Sequence, residues 1–350
     1  MMPKSLMKKN NLDPSKTSSY DYFLPENLIA KYPVHPACDA KLLVYHQAKK
    51  TITHTTFKHL LQFIPQNTQI FFNDTKVIKA RIFGKKQTGG KVELLFNKPM
   101  INNSFLVYIR GRVSVDSLLS FEENLSAKVL ELFEDGSRLV KFYQGDIELD
   151  FLSLVEVLNT IGHLPLPPYL KREDEKDDEK TYQTLFGKNY GAVAAPTASL
   201  HFTPELLKEL EDRYDTNYLT LHVGAGTFKP VESEDILDHP MHSEYYDIPI
   251  KSQKILDTKA DILAVGTTVT RTIEYYNDTK KLSGEANLFL NPLNTPKRVK
   301  YLLTNFHLPK STLIMLVASF IGLEETMKIY NEAIKENYRF FSYGDGMLII

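Results

Sequence analysis

Tryptophan is absent from the 350-residue chain, and cysteine occurs once, at Cys38. The first absence carries little. The second excludes an intrachain disulfide framework and suits a reducing compartment. Net charge is nearly absent too: 42 Lys and Arg against 43 Asp and Glu leave −1. Overall charge therefore does not mark a nucleic-acid binder, and any basic surface has to be local. No apolar run is long enough for a membrane span; "LIMLVASFIG" (313–322) is about half the required length. The polar stretch 1–20 lacks the apolar core of a signal peptide. These features predict a soluble cytoplasmic protein with no membrane association, and a monomer is expected.

What is present has two textures. From about residue 66 to 150 the chain reads as alternating strand-like runs, such as "KVIKARIFG", "GKVELLF" and "SFLVYIRGRV", with turns at "QTGGK" and "EDGS". Short strands in succession without helices predict a small antiparallel β-barrel. Helices alternate with strands after residue 150, which is α/β texture. The expected fold is a mixed α/β main domain, discontinuous over 1–65 and 151–350, with a barrel inserted at 66–150. A loose tail is expected over the first twenty residues, a short helix after Pro25, and a solvated loop at "KREDEKDDEK" (171–180).

Polar connections recur at the ends of apolar strands. "TNFHLPKST" (304–312) places Thr304, Asn305, His307 and Lys310 between "VKYLL" and an apolar helix. "YGAVAAPTASLHFTPELL" (190–207) carries Thr197, Ser199 and His201, with Thr203 as an N-cap and Pro204 at the first helical position. "LTLHVGAGTFKPV" (219–231) puts His222 in an apolar strand, before Gly226, Thr227 and Lys229. "AVGTTVTRTIEYY" (264–276) passes from strand to helix through Gly266, Thr267 and Thr268, with Arg271 near the helix start. Ligands in open α/β sheets bind outside the carboxyl ends of strands, where loops and helix N-termini supply donors. One such connection is only a cap; several together predict the floor of a polar pocket.

Two motif matches fail. "GAGTFKP" lacks the third glycine of a dinucleotide fingerprint and carries Pro230 where the helix should run. His239 and His242 have the spacing of half a metal site, but nothing completes it, so no metal is expected. The stretch 76–91 contains Lys76, Lys79, Arg81, Lys85, Lys86 and Lys91 with no acidic residue among them. Such a local cationic stripe suits phosphate contacts. With Asn73 and Asp74 at the preceding strand end, these residues are the candidates for contact with RNA.

The segments "YDYFLPENLIAKYP", "FFNDTKVIKARIFGKKQTGGKVELLF", "GHLPLPPYL", "AAPTASLHFT", "LHVGAGTFKPV", "HPMHSEYY", "VGTTVTRTIE", "LLTNFHLPKSTLIMLV" and "YRFFSYGDGMLI" occur in this order over essentially the whole chain after residue 20. Taken together they resemble the S-adenosylmethionine:tRNA ribosyltransferase-isomerases of queuosine biosynthesis. The chain departs from that pattern at Ser199, Tyr245 and Gly346, and most in 283–298.

The resemblance implies an α/β domain with an inserted barrel. It also implies a reaction: the ribosyl group of S-adenosylmethionine, as co-substrate, is transferred and isomerised onto 7-aminomethyl-7-deazaguanine at the wobble position of tRNA. Epoxyqueuosine-tRNA forms, and adenine and methionine leave. The sulfonium acidifies the ribose C5′ hydrogens, so a proton acceptor is required. The candidates for proton transfer are His201, His222, His307 and Asp345, with Glu244 as a further carboxylate. Those for holding S-adenosylmethionine are Thr197, Thr267, Thr268, Arg271, Asn305, Lys310 and Tyr343, with Phe306 as a candidate stacking ring. Two other function classes remain open at this point: a hydrolase or lyase built on the histidines, and a non-enzymatic RNA-binding protein built on the cationic stripe.

Overall fold

The computed structural model describes residues 12–224 and 231–350. Gly226, Thr227, Lys229 and Pro230 lie outside the described residues. A nine-stranded mixed sheet forms the main body. Its order is Ser283–Ala286, Glu244–Asp247, Thr216–Leu221, Gln69–Asn73, Ile262–Val265, Tyr301–Asn305, Gly346–Ile349, Lys41–His46 and Thr51–Thr56. The strands from Thr216–Leu221 to Tyr301–Asn305 run parallel. Gly346–Ile349 then pairs antiparallel with Tyr301–Asn305.

The central strands are buried on both faces, and their side chains alternate between cores as the period of two requires. Ile70 and Phe72 pack with Phe57, Leu60, Leu206 and Leu210 on one side. Phe71 packs with Val269, Ile273 and Leu256 on the other. The helices Thr312–Ile321 and Leu323–Lys335 cover Leu302, Met347 and Ile349. The expected cap is present, since Thr203 accepts from the Leu206 amide with Pro204 at the first helical position; Ser311 likewise accepts from the Ile314 amide.

A second sheet closes on itself. Strands Arg81–Lys86, Lys91–Pro99, Phe105–Arg110, Ser137–Gln144, Leu125–Leu132 and Leu118–Ser120 form a closed antiparallel ring, with Ile147–Glu148 added outside. Its core of Ile82, Leu94, Phe96, Val107, Val129 and Phe142 is sealed by Leu154, Val155 and Leu158 of helix Phe151–Ile161. The chain enters and leaves at one point, where Arg81 bridges His163.

Strand membership differs from expectation at both edges of the insert. Gln69–Asn73, expected with the barrel, is a central strand of the main sheet. Its unbroken apolar run "IFF" is the pattern of a strand covered on both faces, not of a barrel wall. Helix Phe151–Ile161, expected with the main domain, packs on the barrel.

Three local expectations are also corrected. The stretch after Pro25 forms only a 3₁₀ turn, Glu26–Leu28. The end of the supposed loose tail is pinned, because the Thr17 amide donates to Glu234 and Tyr20 is fully buried. The charge run 171–180 is not simply solvated. Asp178 is buried and takes both guanidinium nitrogens of Arg172, at 2.6 and 2.7 Å. Arg172 and Asp178 neutralise one another, and that satisfied pairing lets a carboxylate enter the interior.

Candidate active site

Strands Ile262–Val265 and Tyr301–Asn305 end side by side, and beyond their carboxyl ends lies a cavity of about 320 Å³. This is the volume class of small-molecule sites. After Val265 the chain turns straight into helix Thr267–Thr279 through Gly266, whose φ of 101° disfavours any side chain. Thr267 and Thr268 therefore face the cavity from the first helical turn. After Tyr301–Asn305 the chain passes under it through Thr304, Asn305 and His307 to Pro309 and Ser311. Tyr169, Tyr182 and Phe341 supply aromatic walls, and Ala194–Ala198, Val223, Leu308, Leu313 and Ser342 complete the lining.

The polar floor is fixed by hydrogen bonds. Thr197 Oγ1 donates to Asn305 Oδ1 at 2.8 Å, and Asn305 Nδ2 donates to His201 Nε2 at 3.2 Å. His201 is buried behind Asn305, stacked on Phe57 at 4.1 Å, and does not line the cavity. Burial, with the Arg339 charge, lowers its pKa to about 3. It orients Asn305 and is not placed to touch a ligand. Asn73 Oδ1 accepts the Thr75 and Leu221 amides, and its Nδ2 reaches Thr268 Oγ1 at 3.3 Å.

His307 does line the cavity. Its Nε2 meets Thr304 Oγ1 at 2.8 Å, its amide donates to the Tyr330 hydroxyl, and its carbonyl accepts from Tyr22. Burial lowers its pKa to about 3, so the ring is neutral at physiological pH. No Asp, Glu, Lys or Arg is among the described lining residues. The cavity thus offers neutral donors, neutral acceptors and ring faces.

The other candidates are placed elsewhere. Arg271 points away, into a buried pair with Glu244 at 2.6 Å and to the Leu288 carbonyl. Glu244 Oε1 also accepts the Gly224 amide. Lys310 pairs with Asp21 at 2.7 Å on the surface, although its neighbours Pro309 and Ser311 line the cavity. Tyr343 donates to Asp178 at 2.7 Å, behind the wall. Asp345 is buried against the Lys41 and Arg339 amides, and burial raises its pKa despite them. Phe306 is a core ring among Tyr330, Tyr338 and Phe340. None of these lines the cavity.

His222 lies on the far side of the same strand end. Val223 faces the first cavity, whereas His222 and Gly224 line a second cleft with Tyr245, Glu244 and Asn97. Its Nδ1 meets Thr75 Oγ1 at 2.7 Å, and burial lowers its pKa to about 4. Gly191 makes room for the ring, since a Cβ there would lie 2.7 Å from it.

The cationic stripe is less uniform than its sequence. Lys79 pairs with Glu179, and Arg81 with Glu93 and Glu173. Lys76 lies over the Tyr190 ring at 4.7 Å. Lys85 and Lys91 oppose one another across the hairpin and line a shallow groove with Phe83 and Phe121. Lys86 donates to the Arg112 carbonyl beside them. Asn73 and Asp74 are buried; Asp74 accepts from Thr220 at 2.6 Å and from Asn189 at 3.0 Å. Both are held within the sheet, with Asp74 also paired to the exposed Lys188 at 3.2 Å.

Sequence reasoning missed Tyr169, Tyr182, Phe341 and Ser342 as walls. The proline-rich "GHLPLPPYL" signalled an irregular segment but not its direction.

A mixed α/β body with an inserted closed barrel, and a neutral, aromatic-walled cavity at the parallel strand ends, defines an enzyme-like ligand site of the open-sheet kind. The family model described as "Queuosine biosynthesis protein" matches residues 17–349. The chain belongs to that family. It is 70% identical over 339 residues to the S-adenosylmethionine:tRNA ribosyltransferase-isomerase of Aliarcobacter butzleri, covering 97% of this chain and 100% of that one. It is 58% identical over 336 residues to the protein of that name from Campylobacter jejuni, covering 95% and 98%. The crystal structure of S-adenosylmethionine tRNA ribosyltransferase from Thermotoga maritima aligns with a TM-score of 0.53 at 31% identity, covering 95% of this chain and 100% of that one.

Proposed function

We propose that the chain transfers and isomerises the ribosyl moiety of S-adenosylmethionine onto 7-aminomethyl-7-deazaguanine at the tRNA wobble position, giving epoxyqueuosine-tRNA and releasing adenine and methionine. The observation that carries this reading is the uncharged, aromatic-walled cavity at the strand ends, in a chain related to such enzymes over nearly its whole length. A sulfonium cation is attracted to ring faces, and Tyr169, Tyr182 and Phe341 provide them. Thr197, Thr267, Thr268 and Asn305 hold the ribose hydroxyls. The free amides at the start of helix Thr267–Thr279 suit the methionine carboxylate.

His307 is the proton acceptor on this reading. Its Nε2 meets Thr304 Oγ1, and in the tautomer that donates Nε2–H to that hydroxyl, Nδ1 carries the lone pair that takes the proton. Lys85, Lys86 and Lys91 on the barrel hairpin contact tRNA phosphates, with Phe83 beside them. The protein works as a cytoplasmic monomer. Among the described residues no helix is long and apolar enough to cross a membrane.

The test is to incubate the protein with tRNA bearing the aminomethyl-deazaguanine and with ribose-labelled S-adenosylmethionine. Label entering tRNA with stoichiometric adenine release is expected. tRNA binding without label transfer would return the reading to a non-enzymatic RNA-binding protein.

A further inference from the structure

One wall of the cavity holds a polar atom that the protein does not use. Tyr182 is fully buried and lines the cavity. Its hydroxyl makes no hydrogen bond, and among the described lining residues it is the only buried side-chain polar atom in that condition. The ring is firmly held. The Tyr182 amide donates to the Asp178 carbonyl at 2.8 Å, and the ring meets Tyr343 edge-on at 5.8 Å. Tyr343 in turn is bonded to the buried Asp178 carboxylate.

The nearest polar neighbours of the phenol oxygen, Ser342 and the Ala195 amide, come close to it without completing a hydrogen bond. The Ser342 hydroxyl is also engaged with Tyr169, whose oxygen accepts the Ser342 amide. With Ser342 paired to Tyr169, the Tyr182 hydroxyl stays unsatisfied at the cavity wall. A buried hydroxyl left unmet destabilises a fold, and phenylalanine would pack as well without that penalty. The oxygen is therefore explained by a ligand and not by folding.

We propose that Tyr182 contacts the substrate directly, donating a hydrogen bond from its hydroxyl to a neutral acceptor atom of the adenosyl group of S-adenosylmethionine. The assignment rests on the reading of this cavity as the S-adenosylmethionine site. Burial holds the phenol proton well above its ordinary range. Tyr182 therefore acts as a donor and keeps its proton through the reaction.

Tyr182→Phe removes only the oxygen and tests the idea on two independent readouts. Without ligand, the variant is expected to melt at the wild-type temperature or above it. Calorimetric titration with S-adenosylmethionine, and with S-adenosylhomocysteine, which lacks the sulfonium charge, should show affinity weakened about 3- to 10-fold, the range of one neutral hydrogen bond. The ligand-induced rise in melting temperature should shrink accordingly. Wild-type binding that Tyr182→Phe leaves unchanged overturns the assignment alone. A ligand-free variant that melts below wild type also overturns it, because the hydroxyl then serves the fold. Wild-type protein that binds neither compound overturns the cavity reading and this assignment together.

Discussion

Asp178→Asn is the sharpest perturbation of the scaffold behind the cavity. The carboxylate is buried, receives a two-pronged contact from Arg172 at 2.6 and 2.7 Å, and accepts from Tyr343 at 2.7 Å and the Glu175 amide at 2.8 Å. Burial would raise its pKa, but the bonds from Arg172, the Glu175 amide and Tyr343 outweigh it and hold the group below its ordinary value. The substitution keeps the volume and deletes the charge. Arg172, itself largely buried, loses its close counter-ion and keeps only Glu175 at 4.0 Å. Breaking a buried pair from one side costs roughly 3–5 kcal/mol, which in a chain of this size lowers the melting temperature by roughly 5–10 °C. Thermal unfolding followed by circular dichroism measures it. Glu26→Gln is the control, because the Lys171–Glu26 pair has both side chains mostly in water and should leave the melting curve unchanged. Because Asp178 also anchors the turn that carries Tyr182, S-adenosylmethionine affinity should fall with stability. A loss below about 1 kcal/mol would refute the reasoning, since it would mean that the pair is solvated like a surface ion pair.

Two further outcomes follow from the same structure. His201 and His307, with pKa values near 3, and His222, near 4, are neutral in the fold and ordinary when unfolded. The unfolded chain therefore binds more protons below about pH 6.5. Stability is full above that pH and falls toward pH 4, on the order of 1 kcal/mol per histidine per pH unit. Melting temperatures measured from pH 8 to 4 should decline through this window, and a flat profile would contradict neutral burial of the rings. On the barrel, Lys85→Glu and Lys91→Glu should weaken tRNA binding, measured by fluorescence anisotropy. Each should also lower the salt slope by about 1, whereas equal slopes for variant and wild type would remove the hairpin from the interface.

Much of the molecule was legible in the residues. The strand-to-helix passages at Gly266 and at Ser311, the caps at Thr203 and Ser311, and the antiparallel barrel all follow from local chemistry: glycine at positive φ, side-chain oxygens facing free amides, and period-two patterning. The clustering of Thr197, Thr267, Thr268, Asn305 and His307 around one cavity follows from the rule that parallel strands gather their carboxyl ends.

Only the tertiary structure decided which polar residue faces a ligand and which faces a partner. His201 and His307 both sit in polar connections after apolar runs, yet one braces Asn305 from behind and the other lines the cavity. Arg271 is four residues beyond Thr267 and points instead into a buried pair with Glu244, from a distant strand. The run 171–180 looked solvated because the sequence does not show that Arg172 folds back onto Asp178, nor that Tyr343 arrives from the far end of the chain. Sequence patterning sets local conformation and burial, which depend on neighbours in the chain. The direction of a buried polar side chain depends on which partner the packing brings to it, whether 6 residues away, as for Arg172 and Asp178, or 165, as for Tyr343 and Asp178.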